Sequence, residues 1–186
     1  MKILTKILQK EIFPISLVLL LAFSRLLPHP PNFTPIIAVA IMSGYFFKNI
    51  KLSFVVLLIA MLLVDVFVGF YKHMLFVYLS LFLIAFVFFK MSDKINFKSL
   101  FVFGFLGSLI FYLVSNFGVW ASGVISPITN LPYEKNLNGL VSCYFLAIPF
   151  FKNTLLSTVI FSYAAFLANH SYKKMEQNKI ARKSIK

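Results

Sequence analysis

From Leu52 to Tyr71 the chain is apolar except for Asp65, and similar runs recur at Ile12–Leu27, Met74–Phe89 and Leu100–Trp120. Runs this long, separated by short polar segments, are what a chain needs to cross a bilayer repeatedly as helices. Composition agrees: 60% of the 186 residues are hydrophobic, and mean hydropathy is +0.90. A water-soluble domain has too much surface to hide that much apolar area. The expected class is all-α: a polytopic membrane protein built as a six-helix transmembrane bundle. The 24 phenylalanines read as the codon bias of an AT-rich genome, since Lys, Ile and Asn are also common.

Local signals set the boundaries. The first run stops at Pro28-His29-Pro30-Pro31, where prolines without backbone N–H groups force an extended loop. Thr34 and Pro35 then read as N-cap and first residue of a second helix, ending near Phe47. A tight loop, Lys48–Lys51, leads to the third run, and Lys72-His73 separates the third from the fourth. Lys90–Ser99 is a polar loop and Ala121–Gly139 a longer one. Leu140–Ala168 would be about 43 Å long as a helix, too much for a hydrocarbon core of about 30 Å. Pro149 and Lys152 therefore divide it into an outer, tilted or partly inserted segment, Leu140–Phe151, and a sixth span, Asn153–Ala168. Residues 1–170 are expected to form one transmembrane domain. Residues 171–186 are expected to be a basic cytoplasmic tail, frayed or disordered.

Orientation follows from the bases. With the N-terminus inside, the inner segments carry three at the N-terminus, two in Lys48–Lys51, three in Lys90–Lys98 and six after Asn169. The outer segments carry only Arg25, Lys72, Lys135 and Lys152. The positive-inside rule then puts both termini in the cytoplasm of a bacterial inner membrane. A cleaved signal peptide ending near Ala22-Phe23-Ser24 is the rival reading of the first run; Glu11 and the charged lead fit it poorly. The net charge of +13 is explained by topology, so no nucleic-acid partner is expected.

With this topology the unusual polar residues gather near the outer ends of different helices. Eight are candidate substrate-binding residues: Arg25, His29, Asn32, Asp65, Asn116, Trp120, Tyr144 and Asn153. Asp65 is the one acid within a continuous span, and burying a lone carboxylate at that depth costs about 2.5–3.5 kcal/mol, so it needs a partner. Arg25 is the natural one, and the pair is equally readable as purely structural. Asp65, Gly69 and Lys72 would share one helical face by their spacing. Trp120 is also readable as an interfacial anchor. The prolines after Arg25 are also readable as no more than a tight outer turn. Stripes of small residues, Gly104-Ser108-Tyr112-Asn116 and Thr154-Thr158-Ser162, suit close helix packing.

No catalytic constellation is present: there is no GxSxG, no HExxH and no paired-carboxylate set. The single cysteine, Cys143, excludes an intrachain disulfide and any Cys-rich metal site. Neither an enzyme nor a bound cofactor or metal is expected. Cys143 and His73 leave a corrinoid ligand open, although each is as readily a packing or loop residue.

Arg25-Leu-Leu-Pro-His-Pro-Pro-Asn-Phe-Thr-Pro35, Asp65 to Gly69, Ser115-Asn-Phe-Gly-Val-Trp120, Gly139-Leu-Val-Ser-Cys-Tyr144 and Ala147-Ile-Pro-Phe-Phe-Lys-Asn-Thr-Leu155 occur together. This set resembles an uncharacterised bacterial family of transport-type membrane proteins. That family is in turn similar to the substrate-binding S components of energy-coupling factor vitamin transporters. The resemblance implies an outward-facing pocket, closed by the loop after the first helix and by outer parts of the fourth to sixth. It also implies either a separate ATP-driven energising module as partner, the usual arrangement, or solitary action, since solitary S components exist. Two departures stand out. Metal-specific S components carry histidines at the extreme N-terminus, where this chain has Met1-Lys2-Ile3. Relatives often carry Gly-Asp where Ser157-Thr158 stand here.

The expected function is uptake of a small, ring-bearing, neutral-to-anionic, vitamin-like solute, with the lipid bilayer as surroundings. The alternative is a structural or assembly partner of another membrane protein, without transport activity.

Overall fold

Ile36–Phe46 is apolar around its whole circumference, and a helix with no polar face has to be enclosed by protein or by lipid. In the computed structural model this segment, α2, is the axis of the molecule: Ile36 to Gly44 and Phe46 are all buried. The structure describes residues 2–184, excluding the side chains of residues 2–10, 180, 183 and 184. Lys2, Lys6, Lys10, Lys183 and Lys186, counted above as inner bases, lie outside the described side chains. Around α2 stand α1 (Lys2–Phe23), α3 (Ile50–Val68), α4 (Met74–Lys90), α5 (Leu100–Ala121) and α6 (Leu137–Ser184). Short 3-10 turns follow α1 (Ser24–Leu26) and α4 (Ser92–Lys94). An isolated antiparallel bridge, Ile125 to Pro132, pins the loop between α5 and α6. No β-strand occurs among the described residues.

Three helices are long and apolar enough to cross a membrane: Ile50–Val68, Leu100–Ala121 and Leu137–Lys179. Most of each is unburied by the rest of the bundle, and Leu63, Val66, Phe67, Phe101, Val102 and Ile160 stand exposed. An apolar belt of that extent belongs against lipid rather than water. At 1.5 Å per residue the 11 residues of α2 span only about 16 Å, roughly half a hydrocarbon core. The irregular residues 27–35 lead from the end of the first helix to the start of α2.

Consecutive elements run antiparallel, so α2 and α4 are parallel to each other and pack very closely. A Cβ on Gly44 would lie 2.3 Å from the Ala85 carbonyl oxygen and 2.9 Å from the Phe89 nitrogen. Only glycine lets the two backbones meet there. On the other side of α4, Gly118 of α5 makes room for the Phe76 ring.

Several boundaries differ from expectation. Thr34 does not cap α2; Pro35 is the N-cap, and no side chain supplies a capping bond. Asn49 caps α3 by accepting from Lys51 and Leu52 N–H at 2.9 and 3.3 Å, which shortens the expected loop. α3 ends at Val68, where Gly69 takes φ 95° and returns its N–H to the Asp65 carbonyl at 2.8 Å. A positive φ at that position favours glycine, and it takes Lys72 off the helical face on which sequence spacing put it.

α6 differs most. It is continuous for 48 residues, through Pro149 and across position 170, so the expected division at Pro149–Lys152 and the tail boundary both fall inside one helix. Side-by-side packing on α5 supports the helix on both sides of the proline. The Tyr112 hydroxyl donates to the Tyr144 carbonyl at 2.6 Å, and the Tyr112 and Phe151 rings meet edge to face at 5.3 Å. Farther along, the Tyr163 hydroxyl donates to the Phe97 carbonyl at 2.9 Å. Tyr172 then stacks on Phe13 of α1 at 3.9 Å, tying the basic extension to the first helix.

Candidate functional site

The Ser24–Leu26 turn, the start of α2, the α3–α4 connection, the end of α5 and the first turns of α6 all lie at one end of the bundle. Because α2 begins half-way down, its neighbours stand above its N-terminus and leave a cavity of about 330 Å³. Arg25, Asn32, Tyr71 and His73 line one side of it. Tyr112, Ser115, Asn116 and Thr154 line the α5–α6 side, and Phe111, Phe150 and Phe151 add aromatic wall. Ile36 and Ile37, the first residues of α2, form part of the lining. Their N–H groups precede the first helical bond, Val39 N–H to the Pro35 carbonyl at 2.9 Å.

Beside the cavity lies a buried ion pair. Arg25 Nη1 donates to Asp65 Oδ1 at 2.6 Å, with the Asp65 side chain fully buried and that of Arg25 12% exposed. The second carboxylate oxygen accepts from the Tyr78 hydroxyl at 2.8 Å. Both oxygens therefore have a donor, which is the condition for keeping a charged carboxylate inside. The Tyr71 phenol borders the same pair. Burial raises its pKa first and the Asp65 charge raises it further, while Arg25 opposes both. His73, whose ring centroid is 4.9 Å from that of Tyr71, has its pKa lowered by burial. Its Nδ1 is buried without a hydrogen-bond partner.

Of the eight sequence candidates, Arg25, Asn32 and Asn116 line the cavity. Asp65 stands behind Arg25. The other four have structural bonds nearby. Asn153 Nδ2 donates to the Pro31 carbonyl at 3.0 Å, fastening the proline loop to α6. Tyr144 gives its hydroxyl to the Leu113 carbonyl at 2.6 Å. Trp120 Nε1 donates to the Glu134 carbonyl at 2.8 Å, and Lys135 Nζ sits 5.1 Å above its ring while bonding the Trp120 and Ala121 carbonyls. His29 is exposed, with Nδ1 3.0 Å from the Pro30 carbonyl. Sequence reasoning passed over Tyr71, Tyr112 and Phe151 as lining residues. Tyr112 stood in a recognised small-residue stripe, and its ring was the signal that the stripe changes role toward that end.

Among the described residues no group of three His, Cys, Asp or Glu side chains is placed to hold a metal ion. Cys143 is buried, its thiol 3.4 Å from the Asn116 carbonyl.

The model of a family of unknown function, DUF6580, matches residues 5–179. The chain belongs to this family. The DUF6580 match takes in every element around the cavity and the Arg25–Asp65 pair. No curated protein and no solved structure matches the chain.

Proposed function

We propose that this DUF6580 protein is a six-span inner-membrane protein that binds a small solute for uptake. The cavity carries this reading. It has the size of a small-molecule site, it mixes a few convergent polar groups with aromatic wall, and it lies where helix ends splay apart. A half-length helix ending at a polar cavity is a recurrent arrangement in transporter sites, where open N–H groups meet the solute. The charge distribution supports an outward-facing mouth. Arg25, Lys72, Lys135 and Lys152 lie at the cavity end, whereas Lys48, Lys51, Lys90, Lys94 and Lys98 lie at the opposite end. Both termini are then cytoplasmic. The chain has no nucleotide-binding motif, so any energising ATP hydrolysis comes from a separate module.

The test is purification in mild detergent, mass spectrometry of co-purifying small molecules, and rebinding of each to the emptied protein. A bound metabolite whose affinity falls in Asn116→Leu supports the reading. An empty protein that instead co-purifies in fixed ratio with another membrane protein would replace it with an assembly role.

A further inference from the structure

The hydrogen-bond inventory of the cavity indicates the kind of solute that fits it, and this inference rests on the solute-binding reading above. On the α5–α6 side every hydroxyl hydrogen is already committed. Ser115 Oγ donates to the Phe111 carbonyl at 2.6 Å, Thr154 Oγ1 to the Phe150 carbonyl at 3.1 Å, and the Tyr112 hydroxyl to the Tyr144 carbonyl at 2.6 Å. Asn116 spends an amide hydrogen on the Tyr112 carbonyl at 2.8 Å. What these side chains retain is mainly oxygen lone pairs, so this wall accepts hydrogen bonds. The opposite side also carries groups of mixed character in Asn32, Tyr71 and His73, but its strongest groups are donors. Arg25 has five N–H groups, of which Nη1 serves Asp65 and a further interaction goes to the Tyr71 hydroxyl, leaving the rest to face the cavity. The N–H groups of Ile36 and Ile37 are uncapped.

Charge narrows the choice further. Arg25 and His73 are the lining groups that could carry positive charge. Arg25 is balanced at 2.6 Å by a fully buried carboxylate. A charged ligand would enter a site with no net counter-charge and lose its hydration. The volume corresponds to roughly eleven waters, enough for a one- or two-ring molecule, and Phe111, Tyr112, Phe150 and Phe151 offer ring surfaces.

We infer that the cavity takes an uncharged, planar molecule of amide, lactam or ureide type. Its N–H edge faces Tyr112, Ser115, Asn116 and Thr154, and its carbonyl faces Arg25 and the start of α2.

Benzamide, benzoate and benzamidinium have nearly the same shape and differ in charge and donor pattern. Their affinities for the detergent-purified full chain are measured by isothermal titration beside a pooled screen of polar metabolites. Benzamide is expected to bind at least tenfold tighter than either ion, and screen hits to be uncharged amides or lactams. Thr154→Val, which removes one acceptor with little change of shape, is expected to weaken benzamide at least fivefold. It should leave the unliganded melting temperature nearly unchanged. If Thr154→Val does not fold, the three-probe ranking on the natural sequence decides alone. Benzoate or benzamidinium binding as tightly as benzamide overturns the inference while leaving solute binding intact. No binding by any probe or pool member overturns both.

Discussion

Arg25 and Asp65, forty positions apart, are joined by a 2.6 Å bond from Nη1 to Oδ1, and the carboxylate has no exposed surface. One partner sits on the turn that ends the first helix and the other is one turn from the end of α3. Their bond closes the bundle beside the cavity and fixes the guanidinium that lines it. Removing one member strands the other in a low-dielectric interior, which is where such a loss is most costly.

Asp65→Asn and Arg25→Gln are each expected to destabilise the protein by about 3–5 kcal/mol. The double variant should cost less than the two singles together, by about 0.5–3 kcal/mol. Denaturant unfolding in detergent, followed by circular dichroism, measures all three. Strict additivity would show that the contact carries no coupling.

At the α2–α4 crossing, Gly44→Ala puts a methyl group 2.3 Å from the Ala85 carbonyl oxygen, where backbone has to move. The expected loss is about 1–3 kcal/mol, in line with overpacking of a tight core. Gly104→Ala provides the control, because its added Cβ would meet Val159 and Thr158 at ordinary contact distances of 3.5 and 3.8 Å. Equal melting temperatures for the two variants would contradict the close crossing.

His73 gives the site a dependence on acidity. Burial lowers its pKa below the ordinary 6.5, so below that value the unfolded chain takes up the proton more readily than the folded one. Stability is fully present above about pH 6.5 and declines as pH falls from there to the lowered folded value. His73→Gln should flatten this part of the melting-temperature profile relative to the natural chain. Identical profiles would mean that His73 does not contribute.

Topology is open to reporter fusions. Fusions after Lys51, Lys94 and Lys186 are expected to report cytoplasm, and those after Pro31, His73 and Asn130 the outside. An outside signal at Lys186 would remove one span from the proposed six.

Much of the bundle was legible because its signals are local. Apolar runs, the proline cluster at Pro28–Pro31 and the polar breaks at Lys48–Lys51 and Lys90–Ser99 located α2 to α5 within a few residues, whereas α1 begins at Lys2, ten residues before the apolar run expected from Ile12. The Asp65–Arg25 partnership was also legible, as one of few ways to keep an acid inside a span. The continuity of α6 was not. Pro149 and the basic residues after Asn169 are local arguments for breaking a helix, but the Tyr112–Tyr144 bond and the Phe13–Tyr172 stack are distant contacts that outweigh them. His29, Trp120, Tyr144 and Asn153, expected as substrate-binding residues, lie outside the cavity lining. Which polar residues line the cavity depends on helix rotation and on loop anchoring, neither of which is written in spacing.

The sequence by itself determined which surfaces cannot meet water and where the chain must turn, because hydropathy, proline and charge act over a few residues. Only the tertiary structure decided that the neighbours of the short α2 leave a cavity above its first N–H groups, and that hydroxyls on one wall spend their hydrogens on nearby carbonyls. Those outcomes depend on how helices distant in the chain are rotated and packed against one another. A few ångströms of offset there decide whether a polar side chain bonds to backbone or faces a solute.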